Sequence, residues 1–153
     1  MYSRTVMLAA MLCGCAIEQA NAKPFAIACT GKAKFTDTIQ GKAVERSYDL
    51  PRQVYVFDEV AKRVQRAMEP RQQFEDVCFR DGYINNVNFT SGLISVRSEK
   101  SGQMCDFKVD RSSGKAEFVT HADLPSGGLS SIEFQMTCDR TDVPVFDSSK
   151  NKF

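Results

Sequence analysis

The chain carries a single imidazole, His121, and its six cysteines include no C-x-x-C pair. It also lacks a G-x-S-x-G elbow, a low-complexity tract and a long apolar run. Each absence narrows the classes open to it. Zinc sites built on paired cysteines and histidines need donors that this sequence does not supply at the right spacing. Hydrolases of the elbow type have no nucleophile context here. The longest apolar run, Val6 to Ile17, falls well short of the roughly 20 residues of a spanning helix. Charge of one sign is missing as well: 20 Lys and Arg against 19 Asp and Glu leave a net of +1. That balance gives no long-range attraction to nucleic acid or to an anionic membrane.

What is present begins with the amino terminus. Arg4 precedes the apolar run, and Glu18-Gln19 and the small-residue triplet Ala20-Asn21-Ala22 follow it. A charged start, an apolar centre and an A-x-A-like end are the parts of a secretory signal peptide, so residues 1–22 are expected to be removed on export. A rival reading starts from Leu12-Cys13-Gly14-Cys15, which resembles the lipobox of bacterial lipoproteins. It implies cleavage before Cys15 and acylation of that thiol, giving a lipid-anchored protein. A retained, buried apolar strand would make Arg4 and the A-x-A end coincidences. Cleavage after Ala22 is the expectation carried forward. It leaves a single domain over 23–138 and a polar tail over 139–153.

Both export routes leave four cysteines, Cys29, Cys78, Cys105 and Cys138. An even number in an exported chain predicts two disulfides, for which three connectivities exist. Alternation narrows the choice. Phe25, Ile27, Cys29, Ala33 and Phe35 share one face of an early strand, and Ile132, Phe134, Met136 and Cys138 share one face of a late strand. Pairing first strand with last brings Cys29 to Cys138 and leaves Cys78 for Cys105.

The remaining pattern is also β. Ser-Gly recurs at 91–92, 101–102, 113–114 and 126–127, the turn spacing of an all-β meander. Between the turns, Cys105, Phe107 and Val109 oppose Asp106, Lys108 and Asp110, Ile94 and Val96 oppose Ser95 and Arg97, and Ala116 and Phe118 oppose Glu117. Further strands are expected at 46–50, 53–57, 74–79 and 83–90. The sum is an all-β fold, one antiparallel barrel or small sandwich, since alternation fits both. One segment dissents. Over 58–69, Val60, Ala61, Val64, Ala67 and Met68 recur at helical spacing before Pro70, which predicts a short helix. In the tail, Val143-Pro144-Val145-Phe146 is the stretch able to dock on the domain.

Few side chains suggest chemistry. His121 shares a face with Glu117 at a strand end, where a solvated structural role is the simpler account. Asp106, Asp110, Glu117 and Asp123 are the candidates for a hard cation or paired carboxylates. Asp110-Arg111-Ser112-Ser113-Gly114 lacks the alternating acids and late Glu of a calcium loop, so Asp110 reads as a turn opener instead. No metal and no other cofactor is therefore expected. Arg52, Lys62, Arg63, Arg66 and Arg71 form the densest basic stretch, interrupted by Asp58, Glu59 and Glu69 and without interleaved aromatics for nucleic acid. Arg63, Arg66 and Arg71 are the candidate partner-binding residues. Asn88-Phe89-Thr90 is a glycosylation sequon, relevant only in a eukaryotic source. The terminal Phe153 lacks the preceding alternation of a lipid-facing barrel strand.

The leader, the early Cys29-Thr30-Gly31 strand, the late strand ending in Cys138 and the turn Val109 to Lys115 together resemble small exported bacterial proteins of no characterised activity. The resemblance implies a compartment and an antiparallel β-domain, and brings no site residue with it. The expected role is non-catalytic: contact with an envelope protein or polymer, as an inhibitor or accessory. A carrier of a small apolar ligand inside a barrel is the alternative. An enzyme would need a carboxylate pair or His121 set in a cleft.

Overall fold

The alternation seen in the sequence becomes nine antiparallel strands in the computed structural model, which describes residues 22–78, 82–124 and 127–146. They are β1 (Phe25–Ile39), β2 (Lys42–Asp58), β3 (Arg63–Met68), β4 (Gln73–Asp76), β5 (Ile84–Phe89), β6 (Leu93–Lys100), β7 (Gln103–Asp110), β8 (Lys115–Asp123) and β9 (Leu129–Thr141). All lie in one sheet of order β4-β3-β2-β1-β9-β8-β7-β6-β5, curled into a half-barrel. Every neighbour in that order is consecutive in the chain except β1 and β9, so a simple meander is closed by its own ends. The open seam runs between the edge strands β4 and β5.

One face of this sheet is the core. Phe57 and Phe107 are completely buried at its centre, with Ile94 and Val96 beside them. Phe25 stacks on Phe57 at 5.0 Å between ring centroids, and Tyr55 meets Phe107 at 4.7 Å. Arg111 clamps one end of the half-barrel, donating to Glu59 (2.9 Å) and to the Thr90 carbonyl (3.0 Å).

Both expected disulfides are present, Cys29–Cys138 and Cys78–Cys105. Register explains the first. Cys29 lies directly opposite Cys138, whose N–H donates to the Gly114 carbonyl on the β8 side. The Cys29–Cys138 pair is therefore of the non-hydrogen-bonded kind, where antiparallel strands come closest, and the Cα atoms are 4.0 Å apart. The second bond pins the linker after β4 to β7, across the seam.

Sequence alternation suggested two short strands where β2 is one. The β1–β2 register slips between Cys29 and Gly31, because Pro51 and Arg52 make a bulge in β2. Proline has no N–H to give to a ladder, so a bulge is where a strand tolerates it. The extra residue reverses parity: Val44, Tyr48 and Leu50 face the core side before it, Tyr55 and Phe57 after it. Opposite the bulge, Gly31 approaches β9 closely. A Cβ there would sit 2.0 Å from the Gln135 carbonyl oxygen and 2.8 Å from the Met136 Cα. Gly31→Ala is expected to cost about 3 kcal/mol, the upper part of the usual overpacking range, because backbone rather than a mobile side chain must yield. Urea denaturation would measure it, and a loss below about 0.5 kcal/mol would contradict the packing described.

The helix expected over 58–69 is absent. Asp58 Oδ1 accepts from the amides of Val60 (3.0 Å) and Ala61 (2.8 Å), Lys62 takes φ 52°, and β3 follows, with only a short 3-10 turn at Glu69–Arg71. The apolar residues of β3 point both ways because both faces are covered. Val64 joins the main core, while Ala67 joins Ala26, Val54 and Val56 in a second cluster on the outer face. The tail covers that cluster: Val143 and Phe146 pack on it, with Phe146 4.7 Å from Phe74. The expected leader, Cys15 and the last residues of the tail lie outside the described residues, as does Phe79 at the end of the expected 74–79 strand.

Candidate functional site

The core face of the sheet does not stop where the core stops. Beyond Cys29 and Cys138, odd residues of β1 and even residues of β9 continue on the same side, giving Ala33, Phe35, Phe134 and Ile132. Even residues of β8 add Phe118 and Thr120, and the far half of β2 adds Tyr48 and Val44. Phe118 stacks on Phe134 at 5.0 Å, and Phe35 meets Tyr48 edge-on at 5.6 Å. Past the bulge no further strand faces these residues, because β3 pairs with β2 only from Val54 to Asp58. The result is an apolar strip leading out of the core to Tyr48, beyond which the Arg46–Asp37 ion pair (2.7 Å) separates it from Val44 on the same face; Tyr48 and Val44 are both more than half exposed.

Where the strip leaves the core there is a cleft of about 330 Å³. Phe118, Phe134, Ile132 and Thr120 form one wall, and Tyr55, Arg66 and Glu75 the other, with the Cys78–Cys105 bond at its base. Tyr55 donates to the Met136 sulfur at 3.8 Å, and burial pushes its hydroxyl up to about 12, opposed by the charge of Arg66. It therefore stays a neutral donor at any physiological pH.

The three arginines singled out from sequence are not a free basic patch. Arg63 grips Asp76 through two bonds of 2.6 and 2.9 Å, and Arg66 and Arg71 share Glu75 at 3.3 and 3.0 Å. Arg66 and Glu75 are directly opposed residues of β3 and β4, so this is a cross-strand ladder holding a four-residue edge strand in place. Arg63 holds the Asp76 carboxyl below its ordinary range, against the effect of burial. For Glu75 burial pulls upward, but hydrogen bonds from Arg66 and Gln73 and the charges of Arg66 and Arg71 outweigh it. Only Arg66 faces the cleft. Arg63 lies on the opposite face of β3, and Arg71 sits in the 3-10 turn.

The other candidates lie apart from the cleft. His121 is on the outer face of β8, opposite Met104 and Ser131, with Nδ1 buried and no partner in reach among the described residues. Asp106, also on the outer face, binds Lys108 at 2.7 Å, while Asp123 ends β8. No three of the described His, Cys, Asp and Glu residues group as metal ligands. Asp110 opens the β7–β8 turn as its sequence suggested. Its Oδ1 accepts from the Ser112 amide (2.8 Å), the Ser112 hydroxyl (2.6 Å) and the Ser113 amide (3.0 Å), and Gly114 follows at φ 67°. Those bonds, the Ser112 hydroxyl foremost, bring the carboxyl down to about 2. A folded value below the unfolded one of about 3.9 adds stability above pH 4, lost as pH falls toward 2. An NMR titration should show Asp110 and the Gly114 amide moving together near pH 2; a midpoint near 3.9 would contradict these bonds.

The strip from Phe118 to Tyr48 is not legible as a surface in the sequence, where Phe118, Ile132 and Phe134 are simply the apolar residues of alternating strands. The available signal was Val44, Tyr48 and Leu50 alternating with Glu45, Ser47 and Asp49, with Arg46 the one charge on their face, but an alternating strand looks the same whether or not a layer covers its apolar face. No known protein family, curated protein sequence or solved structure matches this chain.

Proposed function

We propose that the chain is an exported, non-catalytic protein of the cell envelope that acts by holding an envelope partner against its apolar inner face. The observation that carries this reading is the strip itself. Phe118, Phe134, Ile132, Phe35 and Tyr48 form a continuous apolar path from the cleft to open solvent. Contiguous exposed apolar surface rimmed by polar groups is characteristic of interaction sites. Two disulfides among the described residues suit an oxidising compartment, and no described helix is long and apolar enough to cross a membrane. The carboxylates at the cleft, Glu75 and Asp76, are both held ionised by arginines, which suits a structural rim better than proton transfer. Periplasmic release after Ala22 fits this role directly; anchoring through Cys15 is the alternative route to the same envelope compartment.

Affinity capture from an envelope extract of the native host tests the reading. Thr120→Arg puts a cation into the cleft without removing core volume and should abolish capture of a defined partner. Lys108→Ala, on the exposed outer face of β7, should leave capture intact. Capture that survives Thr120→Arg, in protein shown to be folded by circular dichroism, would remove the inner face from consideration.

A second reading rests on the cleft alone. Its volume lies at the lower end of small-molecule sites, and its Phe118–Phe134 wall with a nearby Arg66 suits an apolar molecule. Native mass spectrometry of the purified protein separates the two, since a carrier retains a stoichiometric small ligand.

A further inference from the structure

The longest free strand edge among the described residues is that of β2. From Lys42 to Leu50 this strand has β1 on one side and no strand on the other among the described residues. Natural sheets usually shorten, bulge or charge their edges, as the four-residue β4 does here. This stretch carries charge at Lys42, Glu45, Arg46 and Asp49, of both signs, but it is neither short nor bulged: it is regular and about 30 Å long at the normal rise per residue.

We infer that this edge pairs antiparallel with the same edge of a second copy, about a two-fold axis at Arg46, joining two half-barrels into one sheet. The backbone sets which groups are available. β1 and β2 are joined by a two-residue turn with Gln40 at φ 51° and Gly41 at φ 75°, the primed hairpin turn whose flanking pair, Ile39 and Lys42, is hydrogen-bonded. Even-numbered residues of this stretch therefore bond to β1, and Ala43, Glu45, Ser47 and Asp49 turn their N–H and C=O groups outward. A two-fold at Arg46 sets Glu45 opposite Ser47 of the second copy, and Ala43 opposite its Asp49, all in hydrogen-bonded positions.

The side chains favour the same centre. Val44 and Tyr48, 57% and 54% exposed, stand two residues either side of Arg46. Each Val44 thus meets Tyr48 of the second copy at a close, non-hydrogen-bonded position, and aromatic with β-branched pairs are among the better cross-strand contacts. The pairing is reciprocal, as an isologous interface requires. Neighbouring registers are worse: centring on Glu45 sets that carboxylate against itself, and centring on Ser47 sets Glu45 against Asp49. At the Arg46 centre two guanidiniums face each other, but each already carries Asp37 of its own chain at 2.7 Å. The contact is at the small end of specific interfaces, so the dimer is concentration-dependent rather than obligate. It shares Val44 and Tyr48, at the far end of the strip, with the partner proposed above, but leaves the cleft lined by Phe118, Phe134 and Arg66 open.

Analytical ultracentrifugation of the oxidised protein between about 1 and 200 µM should show a monomer–dimer equilibrium. Val44→Lys should raise its dissociation constant at least tenfold, and Arg46→Thr should lower it. Arg46→Cys supplies the register test. Its two thiols would face each other across a close pair, Cα atoms about 4.5 Å apart, and cross-link on mild oxidation. Val44→Cys, with its thiols about 13 Å apart, should not. Both positions are on the exposed arm, and circular dichroism confirms the fold. A wild-type protein that stays monomeric throughout overturns the inference and leaves the edge to a strand of another protein. A dimer indifferent to Val44→Lys, or cross-linking by Val44→Cys as readily as Arg46→Cys, overturns it equally.

Discussion

Replacing Cys29 and Cys138 together by alanine is expected to cost about 5 kcal/mol, against about 3.5 kcal/mol for the same treatment of Cys78 and Cys105. The difference lies in the unfolded chain. The first bond spans 109 residues and the second 27, so the first removes more freedom from the denatured ensemble. The folded state without it keeps its architecture, because β1 and β9 remain registered from Ala26 against Thr141 to Thr38 against Leu129. Net stabilities of domains this size run from about 5 to 15 kcal/mol, so the loss threatens folding at 37 °C. Urea denaturation of both double variants would measure the ranking. A larger loss for the Cys78–Cys105 pair would mean that the seam, not the joined termini, limits stability.

Phe107→Ala should come close behind, at about 3–5 kcal/mol. The ring is fully buried where the two halves of the meander meet, 4.7 Å from Tyr55 and 6.5 Å from Phe57 by centroid. Tyr55 and Phe57 come from β2 and Phe107 from β7, so no neighbouring strand can slide in to fill the space. Val60→Ala is the matched control: Val60 is 67% exposed in the β2–β3 turn, and its truncation should stay within about 0.5 kcal/mol. A Phe107→Ala loss under about 1.5 kcal/mol would contradict a core formed between these strands.

The sequence showed the sheet well where only one face is buried. Cys105, Phe107 and Val109 alternate with charged residues because β7 has core on one side and water on the other, and the disulfide pairing followed from two such strands. It misled where that condition fails. The tail residues Val143 and Phe146 cover the outer face behind β3, so Val64 and Ala67 are apolar in opposite directions and imitate a helical period. Pro51 split β2 in the same way, since a bulge reverses parity and one strand then reads as two. Of the candidate site, the basic residues were visible but not their partners: Glu75 and Asp76 come from a different strand, and pairing depends on register. The apolar strip was invisible as a surface because no local pattern records which part of a sheet lacks a covering layer.

That strip is the centre of the functional account, and site-specific photo-cross-linking in the native host tests it most directly. A photoreactive residue at Thr120, inside the cleft, is expected to yield a discrete adduct to one envelope component. The same residue at Asn88, exposed on the outer face of β5, should yield none. An adduct from Asn88 with nothing from Thr120 would show that the partner meets the other side of the sheet, and the inner face would be core and nothing more.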